Sequence, residues 1–217
     1  MTGPANSNEE ITEAEVEEAI YTYQGRGRTD NEKKVAFTKI YGYYQKHLWK
    51  YLYYFLGNEQ DAEDTYQETF VAVLRSKPPS YLPKDDFEAW LYTIARNKAY
   101  DLLRQKKKSR SLSLPDDESS DLNKNRLFES LSHAGHEDQI AEKLYLLQAL
   151  SEMPEKYRLC IILQEMLGAS QREIAKIFGC SEKTVSSNVS RGRKKLLEIY
   201  KRMEKEQSSP RKEQQSQ

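Results

Sequence analysis

The chain has 217 residues, in which 34 Lys+Arg balance 34 Asp+Glu, 31% of residues are charged and 37% are hydrophobic. That is polar for a single globular core and too apolar for a wholly disordered chain, and it suits two or more small helical modules with charged surfaces. No apolar run is long enough to span a membrane and the acidic start, MTGPANSNEEITEAEVEEA, lacks the apolar stretch of a signal peptide, so a cytoplasmic location is expected.

Residues 1–10 have a disordered composition. Val16, Ala19, Ile20 and Tyr23 recur at helical spacing and predict a short amphipathic helix over 13–23, broken by Gly25 and Gly27. Phe37, Ile40, Tyr41, Tyr44, Leu48, Leu52 and Phe55 predict a helix over 34–56 that Gly57 stops; His47 on it is taken as a packing residue. Ala62, Thr65, Tyr66, Thr69, Phe70, Val73 and Leu74 predict a third, over 60–75, whose outer face is acidic. Pro78, Pro79 and Pro83 exclude helix from 77–84, and Asp85 or Asp86 is the expected cap of the next helix. That helix, 87–108, buries Phe87, Trp90, Leu91, Ile94, Ala95 and Leu102. Its segment 96–110 carries Arg96, Lys98, Arg104, Lys106, Lys107, Lys108 and Arg110 against Asp101 alone, a net of +6.

Residues 109–138 are rich in Ser, Asp and Asn and read as a flexible acidic linker. His133 and His136 within it have no third ligand and imply no metal. Ile140, Leu144, Leu147 and Leu150 begin a second module at 139, and Pro154 opens its next helix. Cys160 there is a small buried hydrophobe; with Cys180 it gives neither a disulfide framework nor zinc-ligand spacing. The segment SQREIAKIFGCSEKTVSSNVSRGRKK, 170–195, is the most informative. Ser170 with Glu173 forms a capping box, Gly179 allows the left-handed turn, Ser181 caps a second helix with Thr184 at its third position, and Val185 and Val189 lock that helix on the first. This is a helix-turn-helix pattern, whose second helix enters a DNA major groove. The expected fold is all-α, two small helical domains joined by the linker, the second a four-helix module ending near 205; residues 206–217 form a disordered tail.

Three segments in order carry a family resemblance: DAEDTYQETFVAVL at 61–74, FEAWLYTIARNKAYDLLRQKKK at 87–108, and ALSEMPEKYRLCIILQEMLGASQREIAKIFGCSEKTVSSNVSRGRKKL at 149–196. Over roughly residues 11–204 the chain resembles bacterial sigma factors of the extracytoplasmic-function class of the sigma-70 family. The resemblance implies a protein that binds core RNA polymerase and directs promoter-specific initiation. Residues 11–108 would be sigma domain 2 and 139–205 sigma domain 4. Asp61, Asp64, Gln67 and Glu68 would dock on the clamp helices of the largest catalytic subunit, and domain 4 on the flap of the second-largest. An anti-sigma factor is a further implied partner.

The resemblance also implies that the 87–108 helix opens the −10 element. Asn97 would read DNA, Asp101 would stand one turn on, and Arg96, Lys98, Arg104, Lys106, Lys107 and Lys108 would hold backbone; Tyr81 in the preceding loop is a candidate stacking partner. The 182–195 helix would read the −35 element through Lys183, Thr184, Ser186, Ser187, Asn188, Ser190, Arg191, Arg193 and Lys194. Ser186 and Asn188 stand where the family often has basic residues, which removes bidentate arginine–guanine contacts and favours adenine. No catalytic residue, cofactor or metal is implied. The rival reading is a helix-turn-helix regulator that acts without docking on polymerase; it explains 170–195 but neither the acidic face at 61–68 nor the basic helix at 87–108.

Overall fold

The structure, a computed structural model, describes residues 11–25, 27–76, 82–112 and 137–208. The N-terminal ten residues, Tyr81, the linker between 113 and 136 and the end of the tail lie outside these. The regular elements among the described residues are all helical: α1 (Glu13–Gln24), α2 (Asp30–Leu56), α3 (Glu59–Arg75), α4 (Lys84–Leu112), α5 (Glu137–Glu152), α6 (Glu155–Ile161), a wide π turn (Ile162–Met166), α7 (Gln171–Phe178) and α8 (Glu182–Ser208).

Local chemistry sets the helix starts. Thr12, Thr29 and Ser170 each accept a hydrogen bond from the backbone N–H three residues on, and the Glu15, Glu32 and Glu173 carboxylates accept one from the cap's own N–H. These bonds to the charged form hold the Glu15 and Glu32 carboxyls below their ordinary range. The box at Thr29 starts α2 four residues before the expected 34. Asn58 caps α3, its Oδ1 accepting from Asp61 N at 2.8 Å. Asp85 and Asp86 are not caps as expected: the Pro83 carbonyl accepts from Asp86 and Phe87 N–H, and the two acids fall in the first turn, where they suit the helix dipole. Gly57 and Gly179 end α2 and α7 at φ 71° and 62°, a conformation that favours glycine.

The helix α4 runs to Leu112, four residues into the expected linker, and α5 begins at Glu137, two residues before the module start read from sequence. The basic run of Lys106, Lys107 and Lys108 is thus helical, its cations near a helix C-terminus. Pro154 stands at the cap position of α6 rather than inside it. The π turn that follows gave no sequence signal.

In the first half α1, α2, α3 and α4 pack around an aromatic core. Phe37, Tyr41, Tyr66 and Phe70 meet edge to face, with centroids 4.8–5.9 Å apart. Tyr51 meets Tyr92 at 5.3 Å, and Phe55 meets Tyr100 at 5.6 Å. Phe87, Leu91, Tyr92, Ala95 and Ala99 are the buried stripe of α4, while Trp90, Ile94 and Leu102, expected in the core, are half-buried. His47 is exposed rather than packed, at the rim of a cavity. In the second half α5, α6 and α7 pack on α8, and at Gly192 the approach is tight enough that a Cβ would stand 2.8 Å from Ile161 Cγ1.

The two halves also touch. The first helix of the helix-turn-helix, α7, lies on α4, and α2 meets α5 and the π turn. Lys50 Nζ donates to the Met166 carbonyl at 3.4 Å, the Arg158 guanidinium sits 5.1 Å above the Phe55 ring, and Tyr100 bonds Glu155.

Candidate nucleic-acid interface

The outer face of α3 presents Asp64, Gln67 and Glu68 to solvent, extended by Glu63. Side-chain amides hold the carboxylates in place: Gln60 donates to Asp64 at 3.0 Å and Gln67 to Glu63 at 2.8 Å. Asp61 is placed differently from the exposed position expected. Its side chain is only 17% exposed and pairs with Lys106 of α4. Glu68 faces Lys98 at 3.5 Å. Two of the four expected docking acids are therefore already matched by two of the cations expected to hold DNA. Sequence reading missed this pairing because the partners are 30 to 45 residues apart and only the α3–α4 packing aligns them.

The cations and polar groups of α4 divide among faces. Asn97, Asp101, Arg104, Lys107 and Lys108 are exposed, with Asp101 and Arg104 paired at 3.5 Å. Lys98 and Lys106 lean toward α3. Arg96 points the other way, against α7: Nη1 donates to the Ile177 carbonyl at 3.2 Å, and the guanidinium lies 5.4 Å from the Phe178 ring centroid.

In the helix-turn-helix, Ser181 Oγ accepts from Thr184 N at 3.2 Å, and Val185 and Val189 are buried on the inner face of α8, as the spacing predicts. Lys183, Thr184, Ser186, Ser190, Arg191, Arg193 and Lys194 are exposed along one side of α8, and Ser187 is half-buried. Asn188 is half-buried too, near the Cys160 thiol of α6, on whose pKa it exerts a lowering pull. Arg193 pairs with Glu165 of the π turn at 2.6 Å. The exposed residues on this side are thus lysine, threonine, serine and arginine, types able to contact both phosphates and base edges.

Residues 40–109 match Sigma-70 region 2 and residues 143–196 match Sigma-70 region 4. The chain is 32% identical to the ECF RNA polymerase sigma factor SigE of Mycolicibacterium smegmatis over 69% of its own length and 55% of SigE. It is 30% identical to SigW of Bacillus subtilis, another ECF RNA polymerase sigma factor, over 74% of its own length and 87% of SigW. Among solved structures it resembles the sigma factor RpoE in complex with the anti-sigma factor NepR from Bartonella quintana, with a TM-score of 0.53 and 25% identity over 72% of this chain and 91% of that one. The two matched regions, in this order on one chain, define a sigma factor of the sigma-70 family. The chain belongs to that family, in its extracytoplasmic-function class. It spans about half the length of SigE.

Proposed function

We propose that this protein binds core RNA polymerase in the cytoplasm and directs initiation at its own set of promoters. The observation that carries the reading is the co-occurrence, on one chain, of both sigma-70 regions with the acidic face of α3 and the helix-turn-helix of α7 and α8. Residues 11–112 act as sigma domain 2. Asp64, Gln67 and Glu68, joined by Asp61 once its pair with Lys106 opens, dock on the clamp helices of the largest subunit, where acids and bases match. Asn97, Asp101, Arg104 and Lys107 face the opened −10 element. Residues 137–208 act as domain 4, which docks on the flap of the second-largest subunit and grips the −35 duplex through Lys183, Thr184, Ser186, Ser190, Arg191, Arg193 and Lys194, with selectivity resting largely on phosphate geometry and duplex shape. An anti-sigma protein, of the kind that RpoE of Bartonella quintana binds, is the expected inhibitor.

Reconstitution with core RNA polymerase, followed by mapping of transcription starts, tests the reading. Specific starts should depend on the added chain. The double substitution Asp64→Lys, Glu68→Lys should weaken holoenzyme assembly more than tenfold while leaving helicity unchanged. Failure of the intact chain to assemble or to direct any start sinks the proposal.

A further inference from the structure

We infer that the cavity between α2, α4 and α7 is a binding site for a small organic cation, a short alkyl diamine, held by the Glu88 and Glu173 carboxylates against a lining of tyrosines. The site goes beyond the promoter function proposed above and does not depend on it.

The cavity has a volume of about 210 Å³, and its lining is both aromatic (Tyr43, Tyr44, Tyr92) and acidic (Asp85, Glu88, Glu173). Some of the charge around it is already matched elsewhere. Lys84, which also lines it, pairs with Glu13 of α1, and Asp85 pairs with Lys176 at 3.5 Å. Glu88 and Glu173 are left over. The Glu173 carboxylate accepts from the Ser170 N–H at 2.7 Å, a neutral donor that leaves its charge in place. Glu88 has no hydrogen bond or ion pair among the described residues; burial raises its pKa, Lys84 opposes the rise through space, and Glu173 adds to it. Two like charges therefore share a confined space with little positive charge to offset them. Tyr44 is a second and independent sign of a missing partner. It is 2% exposed, and its hydroxyl is unpartnered among the described residues, whereas buried polar groups are normally met. The groups whose fields act on that hydroxyl, Glu88, Tyr43, Tyr92 and Asp85, all line the cavity, so the hydroxyl end of the ring is the end that meets it.

The lining selects the class of ligand. Among the described residues no three His, Cys, Asp or Glu side chains are grouped so as to hold a metal ion, so the counter-charge these acids call for is organic. An ammonium group is attracted to the faces of tyrosine rings as well as to carboxylates, and an aromatic cage is a known way to hold one. Lys84 already shows this at the cavity, its Nζ 5.9 Å from the Tyr43 ring centroid. Each ammonium carries three donors and no acceptor, which suits two acceptor carboxylates and the oxygen of Tyr44. Two carboxylates are matched by two positive charges. At about 30 Å³ for each water-sized group, the cavity takes about seven heavy atoms, the size of a diamine with a chain of about five carbons. Leu163, Leu167 and Ile177 give its methylenes an apolar lining.

Titration calorimetry of the free full-length chain with cadaverine, the five-carbon diamine, tests the site. One equivalent should bind saturably, and pentylamine, with a single charge, should bind at least fivefold more weakly. Glu88→Gln should weaken cadaverine binding at least tenfold with helicity unchanged. Tyr44→Phe, which removes only the unpartnered hydroxyl, should weaken it at least threefold, and it decides alone should Glu88→Gln lose helicity. Glu17→Gln with Glu18→Gln, two exposed acids of α1 outside the cavity, should leave the affinity as it was. The absence of saturable binding, equal affinity for pentylamine, or an affinity indifferent to the cavity variants would each overturn the site. So would a loss in the α1 variant as large as that in Glu88→Gln, which would place the diamine on the acidic surface instead.

Discussion

Glu88 of α4 illustrates what a single carboxylate does between the two halves. It lines the cavity of about 210 Å³ that Tyr43, Tyr44 and Tyr92 share with Glu173 and Ile177 of α7. Burial raises its pKa, Lys84 opposes the rise, and Glu173, Asp85 and Glu13 add to it. The folded pKa thus exceeds the unfolded value, so the protonated form favours folding and this stability is lost as pH rises through the folded pKa. Glu88→Gln should therefore raise Tm near pH 7 and leave it unchanged near pH 4, as a pair of thermal melts would show. Two thiols give a second residue-scale test. Burial pushes the Cys160 thiol up to about 11, against a weaker opposing pull from Asn188, whereas Cys180 is half-buried in the turn. Since the thiolate is the nucleophile, iodoacetamide should modify Cys180 in the native protein and reach Cys160 only after denaturation. Mass spectrometry would read the order, and fast native labelling at Cys160 would contradict the packing of α6 on α8.

At the scale of elements, the α6–α8 contact turns on Gly192. A methyl there collides with the buried Ile161, 3% exposed, at 2.8 Å. Overpacking of this kind costs about 1–3 kcal/mol, while alanine in place of glycine gains about 1 kcal/mol of helix propensity. Gly192→Ala should lower Tm on balance; a rise would mean that Ile161 yields freely. The α3–α4 pair carries a functional consequence. Lys106 and Lys98 are paired with Asp61 and Glu68, so their charge is partly neutralised in this structure. Asp61→Asn with Glu68→Gln should tighten binding of the free chain to heparin and steepen its salt dependence by about two ions, one for each lysine released. An unchanged salt slope would show that the pairs do not compete with polyanion, as weak exposed ion pairs often do not.

For the molecule as a whole, the contact between the halves combines apolar packing with charge pairs of Lys176 to Asp85 and Asp86 and the Arg96 bond to the Ile177 carbonyl. Salt should loosen it: raising ionic strength from about 0.1 to 1 M shortens the screening length from about 10 to 3 Å. X-ray scattering should then show the free chain expanding with salt while its helicity holds, and a constant radius would assign the contact to apolar packing instead.

The sequence by itself determined the helices and the motifs, because both are written in neighbours. Helical spacing placed α1 and α3 to within a residue, and Ser170 with Glu173, Gly179 and Ser181 marked the caps of the helix-turn-helix, whose second helix runs on from the expected 195 to Ser208. The missed starts and ends have local causes: the Thr29 box, the Pro83 carbonyl in place of an aspartate cap, and a lysine-rich run that continues α4 to Leu112. Only the tertiary structure decided which face each polar residue takes. Asp61 turns to Lys106, Arg96 turns to α7, Asn188 is half-buried and His47 turns out to solvent. A helix repeats every 3.6 residues, so spacing shows which residues share a face, but which flank of that face meets a neighbour depends on packing between segments tens of residues apart.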